Sequence, residues 1–240
     1  MARQAFIVVE ADVTAIIKEE RIGGQRLILG DCLEMMKELG RFDSVVTDPP
    51  YGIADKWQGG SGHGWGKASQ QTAKRNKWDA EPLGLAECEA ILSRAKSAVI
   101  WGGNYFPLPP ARCWLVWNKP ERGFTLAEAE LAWTNLDTVV RVVDAPRSEP
   151  GRVHPTQKPV RVMEFSIEKA RAKSVLDPFM GSGTTLVACQ RLGRMGTGVE
   201  IDPEYWTIAC ERVHKAWQQA DLFIQSPNAT EPQQERLFDV

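Results

Sequence analysis

Apolar residues in this chain come in short runs, broken by charged, glycine-bearing or proline-bearing stretches. Runs this short, bounded by turn residues, read as buried strands; apolar positions three and four apart read as one face of a helix. On that basis Phe6–Val9 is an edge strand and Val13–Lys18 a short helix, closed by Gly23-Gly24. Arg26–Asp31 is a strand with a turn at its end, and Cys32–Leu39 a helix closed by Gly40. Asp43–Thr47 is the next strand. After a long interruption, Glu87–Ala95 reads as a helix, and Ala98–Trp101, Cys113–Trp117, Leu131–Trp133 and Thr138–Val143 as strands. Pro159 suits a first helical position, and Met163, Ile167 and Ala170 continue an apolar stripe behind it. Ser174–Leu176 is a strand, Leu186–Leu192 a helix ending at Gly193, and Gly196–Ile201 a strand. Asp202-Pro203 opens an amphipathic helix to about Ala220. Alternation at these spacings predicts a wound α/β sheet.

Composition excludes several classes. With 240 residues, 43% hydrophobic and 25% charged, the chain is long and apolar enough for one large soluble α/β domain or two small ones. No apolar run approaches the roughly 18 residues that a bilayer span needs. The opening Met1-Ala2-Arg3-Gln4 lacks the long apolar stretch of a secretory signal, so the expected location is cytoplasmic. Cys32, Cys88, Cys113, Cys189 and Cys210 are widely spaced and form no C-x-x-C pair, which reads as reduced, mostly buried thiols. With His63, His154 and His214 also far apart, no metal site is predicted.

A formal net charge of −2 does not advertise a nucleic-acid binder, but the local charge differs. Residues 53–80 carry Lys56, Lys67, Lys74, Arg75 and Lys77 against Asp55 and Asp79, with Trp57, Trp65 and Trp78 along a glycine-rich run. Cations and tryptophans mixed on one long loop fit phosphate contact and base stacking, although a solvated basic loop pinned by its tryptophans has the same composition. Arg147 and Arg152 add charge to a second loop, residues 144–153.

Two stretches carry the chemistry. Ser44–Gly52 runs from a buried strand into Asp48-Pro49-Pro50-Tyr51. Successive prolines stiffen the backbone and supply no N–H donor, so their carbonyls are free to accept. Taken alone, Asp-Pro-Pro is also an ordinary turn. With Tyr51 it resembles the DPPY motif of amino-methyltransferases, which methylate an exocyclic nitrogen of a nucleobase. The second stretch, Asp177-Pro178-Phe179-Met180-Gly181-Ser182-Gly183-Thr184-Thr185, joins a strand to a helix, and Glu200 lies 19 residues after Gly181 at the end of the next strand. That layout also serves nicotinamide-binding folds, in which the acid bonds ribose hydroxyls. The third glycine of G-x-G-x-x-G is missing, however, and no lysine follows the turn as in a phosphate-gripping loop. The stretch resembles the DPFxGSGTT cofactor motif of DNA amino-methyltransferases.

The resemblance implies a class I S-adenosylmethionine-dependent methyltransferase (Rossmann-like) fold, with a mostly parallel seven-stranded sheet and helices on both faces. The catalytic motif precedes the cofactor motif, the circularly permuted order of the β class. A single catalytic domain over 1–224, with DNA-contacting insertions at 53–80 and 120–153, would be followed by a disordered tail at 225–240. Asp48, Pro49, Pro50 and Tyr51 would be catalytic. Asp31 and Cys32, Asp48, His154, Gln157, Lys158 and Pro159 would bind S-adenosylmethionine, with Lys158 in the segment closing over its methionine end. Asp177, Pro178, Phe179, Gly181, Ser182, Gly183, Thr184, Glu200 and Ile201 would complete that site, Asp177 facing the ammonium. Lys56, Trp57, Lys67, Lys74, Arg75, Lys77, Arg147 and Arg152 would contact DNA. The implied reaction methylates N6 of adenine in double-stranded DNA by base flipping, yields S-adenosylhomocysteine and uses no metal. Methylation of cytosine N4 is the alternative; a nicotinamide-dependent oxidoreductase and a non-catalytic DNA-binding module are rivals of other classes. A homodimer is expected, as in the β class. Gln234-Glu235-Arg236-Leu237-Phe238 resembles peptides that dock into bacterial sliding clamps.

Overall fold

Val45 and Val46 show how the sheet is built. Both are fully buried, yet they belong to different cores, because successive strand side chains point to opposite faces. The same split recurs at Leu27 and Leu29 against Ile28, and at Val99 and Trp101 against Ala98 and Ile100. Strands buried on both faces read as continuous apolar runs, which is why the sequence shows them so plainly.

The computed structural model describes residues 16–52, 82–122, 127–147 and 157–224. In chain order these form β1 (Ile16–Ile22), β2 (Gln25–Gly30), α1 (Cys32–Glu38), β3 (Phe42–Thr47), α2 (Leu85–Leu92), β4 (Ala95–Trp101), β5 (Trp114–Asn118), β6 (Ala129–Thr134) and β7 (Arg141–Asp144). There follow α3 (Val160–Ala170), β8 (Ser174–Asp177), α4 (Thr184–Arg191), β9 (Met195–Glu200) and α5 (Pro203–Ile224). The sheet order is β1-β2-β9-β8-β3-β4-β6-β5-β7. Neighbours from β2 through β4 are parallel, as are β5 and β7; the β1–β2, β4–β6 and β5–β6 pairs are antiparallel. Among the described residues the sheet is therefore mixed and nine-stranded, where seven strands were expected.

One helix expectation fails. Ile16–Lys18, read as the end of a helix, begins β1. Gly23-Gly24 is a two-residue hairpin loop, with Ile22 opposite Gln25, and it commits the preceding residues to pair with β2. Gly23 takes φ +55°, and a Cβ there would lie 2.8 Å from the Trp217 ring. The first cap also differs: extended Leu39 ends α1, and Gly40 is not left-handed. At α4 the glycine expectation holds. Gly193 takes φ +63°, and Arg194 N–H donates to the Cys189 carbonyl, the six-residue closure that follows a left-handed cap.

Two helical layers cover the central sheet. Met35, Met36, Cys88 and Ile91 of α1 and α2 pack on one face; α3, α4 and α5 pack on the other through Met163, Leu186 and Val213. Because β3 leads through α2 to β4 on one side and β8 through α4 to β9 on the other, the connections diverge between β3 and β8. Such a switch point opens a crevice at the carboxyl ends of the strands.

Candidate active site

Five strand tips line that edge. Parallel pairing puts Asp31 after β2, Glu200 at the end of β9, Asp177 at the end of β8, Asp48 after β3 and Gly102 after β4 side by side. The antiparallel β6 brings its start to the same place, since Gly102 N–H donates to the Leu131 carbonyl at 2.8 Å. Glu130 therefore reaches the crevice, and so does Lys119, whose N–H donates to the Glu128 carbonyl at 3.0 Å.

On the β8–β9 side, Gly181 takes φ +51° with nothing within 4 Å of where a Cβ would stand, so the loop leaves open space above its backbone. Glu200 accepts from Gly181 N–H at 2.9 Å and from Asp202 N–H at 2.8 Å, which fixes its carboxylate beside that space. Burial nevertheless lifts its pKa to about 6 against the pull of those N–H groups. Gly183 takes φ +78°, and a Cβ there would lie 2.9 Å from Ala209 Cβ on α5. From the same helix Arg212 donates to Ser182 Oγ at 2.9 Å and Thr184 Oγ1 at 3.1 Å, holding the loop from behind. Asp31 is exposed, and one of its oxygens caps α1 through Leu33 and Glu34 N–H. Cys32 beside it is half-buried, and burial, aided by the Asp31 and Glu200 charges, pushes its thiol up to about 12. Ile201 is 62% exposed at the rim. An open glycine loop, a positioned carboxylate and a neighbouring exposed acid fit a ligand carrying ribose hydroxyls and an amino-bearing ring.

Asp177 sits differently from the expectation that it faces an ammonium. It is 2% exposed, and its oxygens take Thr47 Oγ1 at 2.6 Å, Thr185 Oγ1 at 2.5 Å and Phe179 N–H at 3.1 Å. Burial raises its pKa to about 6 in spite of those donors. It ties the β3 tip to the glycine loop from inside.

On the β3–β4 side, Asp48 Oδ1 accepts from Tyr51 Oη and from Lys158 Nζ, both at 2.6 Å. Lys158 Nζ also donates to Tyr51 Oη at 2.8 Å and pairs with Glu130 Oε2 at 3.0 Å. The other Glu130 oxygen pairs with Lys119, whose ammonium lies 4.5 Å from the Trp117 ring. Burial pulls the Lys158 pKa down, but Asp48 and Glu130 outweigh it and leave it above the usual value. Burial likewise works to raise Glu130, and Lys158 and Lys119 bring it down to about 2. Burial holds Asp48 above the usual carboxylate range against the pull of Lys158, and with Asp48 beside it drives the Tyr51 phenol well up. The Tyr51 ring stacks on Tyr105, with centroids 5.1 Å apart and planes at 19°, and meets Phe106 edge-on at 6.1 Å.

Sequence reasoning missed Glu130 and Lys119, since charges at strand ends read as solvated; it gave no role to Thr47 and Thr185, although both lie in the two motif stretches, and it missed Tyr105 and Arg212, which lie outside them. Pro49 and Pro178 are buried, Pro50 is half-buried, and Pro159 caps α3. Gln157 is half-buried ahead of Lys158. Arg147 is engaged by Glu121, which accepts from its N–H at 3.0 Å. His154, Lys56, Trp57, Lys67, Lys74, Arg75, Lys77 and Arg152 lie outside the described residues, as do the Phe6–Val9 strand and the Gln234–Phe238 peptide. Among the described residues no cluster of metal-ligating side chains occurs, and no helix is long and apolar enough to cross a membrane.

Residues 116–211 match the N6/N4 DNA methylase family model, described as a DNA methylase. Over that stretch the chain is similar to N6/N4 DNA methyltransferases. The type II methyltransferase M2.LlaDCHI of Lactococcus lactis subsp. cremoris is 45% identical over 64 residues, covering 26% of this chain and 24% of that protein, so this match spans about a quarter of the relative. The type II methyltransferase M.HpaI of Haemophilus parainfluenzae is 26% identical over 245 residues, covering 79% of this chain and 74% of that one. Among solved structures, the M1.HpyAVI–SAM complex aligns with a TM-score of 0.51 at 22% identity over 79% of this chain and 98% of that one, which shows a shared class I methyltransferase fold.

Proposed function

We propose that this protein transfers a methyl group from S-adenosylmethionine to the exocyclic amino nitrogen of a base in double-stranded DNA, and that the base is adenine. The observation that carries the reading is the junction of two motifs far apart in sequence. Thr47, immediately before Asp48, donates to Asp177 at 2.6 Å across the β3–β8 switch point. A base pocket and a cofactor loop thus open on one crevice. M1.HpyAVI, a protein of the same fold, has been solved with SAM, which supports the cofactor.

When bound, S-adenosylmethionine supplies a methyl group on a positively charged sulfur. Glu200 would bond its ribose hydroxyls and Asp31 its adenine amino group, over the open backbone of Gly181. On the other side of the crevice the target amino nitrogen is a poor nucleophile, because its lone pair is delocalised into the ring. Asp48, 27% exposed, and the Pro49 carbonyl would accept its two N–H groups. That favours a pyramidal nitrogen whose lone pair points at the methyl, and positioning supplies much of the acceleration. The base must leave the duplex, at a cost of a few kcal/mol. Stacking on Tyr51 offsets part of this, at roughly 1–3 kcal/mol per base. Adenine is favoured by the Asp form of the motif. The family also covers cytosine N4, which is the second reading.

Calorimetric titration with S-adenosylmethionine and with NAD, followed by nucleoside analysis of DNA treated with the chain, tests the proposal. Binding of the sulfonium alone and the appearance of N6-methyladenine are expected. N4-methylcytosine would move the assignment to the second reading, and binding of NAD alone would refute both.

The Glu200 pKa gives a pH prediction. An ionised carboxylate accepts from ribose hydroxyls better than a protonated one, so cofactor affinity should rise as pH climbs through about 6. Binding near that pH should release a proton, seen as a dependence of the calorimetric heat on buffer ionisation enthalpy. Glu200→Gln should flatten the profile; an unchanged profile in that variant would remove Glu200 from the cofactor site.

A further inference from the structure

Lys158 is expected, by resemblance, to bind the methionine end of the cofactor. Its surroundings give it another task. An ammonium has three protons to donate. At Lys158, 5% exposed, three protein acceptors stand within reach: Asp48 Oδ1 at 2.6 Å, Tyr51 Oη at 2.8 Å and Glu130 Oε2 at 3.0 Å. No proton is left for a carboxylate of bound ligand. Glu130 is held in turn by Lys119, itself 5% exposed. Two ammoniums and two carboxylates therefore balance one another in a row running from β5 and β6 to the β3 tip.

The row also decides which way Asp48 faces. Oδ1 takes both Tyr51 and Lys158, while Oδ2 has no donor among the described residues. With one oxygen filled twice, the carboxylate plane is fixed and Oδ2 is the atom turned to a substrate N–H. Tyr51 is fixed by the same ammonium, so the stacking ring and the accepting carboxylate share one anchor.

We propose that Lys158, anchored by Glu130 and Lys119, is a positioning residue of the target-base pocket and not a cofactor ligand. The assignment deepens the methyltransferase reading and rests on it. Among the described residues, the groups facing Asp48 are Lys158 from the segment before α3, Tyr51 on its own loop, Glu130 on β6 and Asp177 on β8. Lys158 is the one cation of the set, so its removal should raise the Asp48 pKa and move the acid limb of the rate profile to higher pH.

The test uses the full chain, S-adenosylmethionine and unmethylated genomic DNA, which contains the target sequence whatever it is. Lys158→Met should lower the single-turnover rate about 100-fold, shift the acid limb upward and leave S-adenosylmethionine affinity unchanged; Lys158→Arg should restore part of the rate. Glu130→Gln keeps the side-chain shape and leaves Lys158 paired with Asp48, so it serves if Lys158→Met does not fold. It should show a smaller loss of rate, again with affinity unchanged. Wild-type kinetics in both variants, or a loss of cofactor affinity matching the loss of rate, would overturn the proposal. Failure of the wild-type chain to bind S-adenosylmethionine or to methylate DNA would instead count against the functional reading, and the two failures are distinguished by the wild-type control.

Discussion

Asp48→Ala should slow methyl transfer by about 100- to 1,000-fold, the loss typical when one preorganised polar group is removed from a reacting centre. It should leave cofactor binding measurable. The reason for the split lies in the connections. Asp48 bonds Tyr51 and Lys158, on the base side, and none of its hydrogen bonds reaches the glycine loop. The fold should survive, because Lys158 keeps Tyr51 and Glu130 as acceptors. The cost should thus resemble that of one lost charge-assisted bond, about 1.5–3 kcal/mol, below the 3–5 kcal/mol or so of stranding a buried charge. Asp48→Asn should fall between wild type and Asp48→Ala: it still accepts a hydrogen bond but leaves the two ammoniums with one carboxylate. Single-turnover transfer of labelled methyl, with calorimetric titration of the cofactor alongside, separates these effects. A wild-type rate in Asp48→Ala would remove this residue from the reaction.

Much of this was legible in the chain because burial on both faces leaves a strong mark. The apolar runs at 27–29, 45–46 and 98–101 located three central strands, and the strand–glycine turn–helix order at 174–192 located the loop. Strand neighbourhood is harder to read, because nothing local says that β3 lies beside β8. That Asp48 and Asp177 stand on neighbouring strand tips follows from the chain crossover, which sets Thr47 on Asp177. β1 was misread because a half-exposed edge strand has weak alternation; the signal that could have corrected it was the two-glycine hairpin loop. Glu130 was invisible for a different reason. A glutamate beginning a strand looks solvated, and only the antiparallel return of β6 against β4 carries it to Lys158. Asp177 is engaged from inside by Thr47, just ahead of one motif, and by Thr185, the last residue of the other, and motif order alone does not show that pairing. Motifs thus named the side chains, while the sheet decided what each one touches.

Gly102→Ala should impair capture of the base without substituting a residue of either motif. Gly102 takes φ +69°, a left-handed conformation that costs an L-residue roughly 1–2 kcal/mol. The steric effect is larger. A Cβ would stand 2.1 Å from Tyr51 Cε1 and 2.5 Å from Cζ. The backbone cannot easily retreat, since Gly102 N–H is bonded to the Leu131 carbonyl and its own carbonyl to Tyr105 N–H, both at 2.8 Å. The ring must therefore move, off its stack with Tyr105 and away from its bonds to Asp48 and Lys158. If Tyr51 supplies stacking worth roughly 1–3 kcal/mol, the loss in kcat/KM should be about 5- to 150-fold and should resemble that of Tyr51→Ala. The two changes should also fail to add, because one acts through the other. Combining Gly102→Ala with Tyr51→Ala should thus cost little more than Tyr51→Ala alone, since the methyl then meets no ring. Full additivity in kcat/KM would mean that Gly102 acts through the β4 backbone and not through Tyr51.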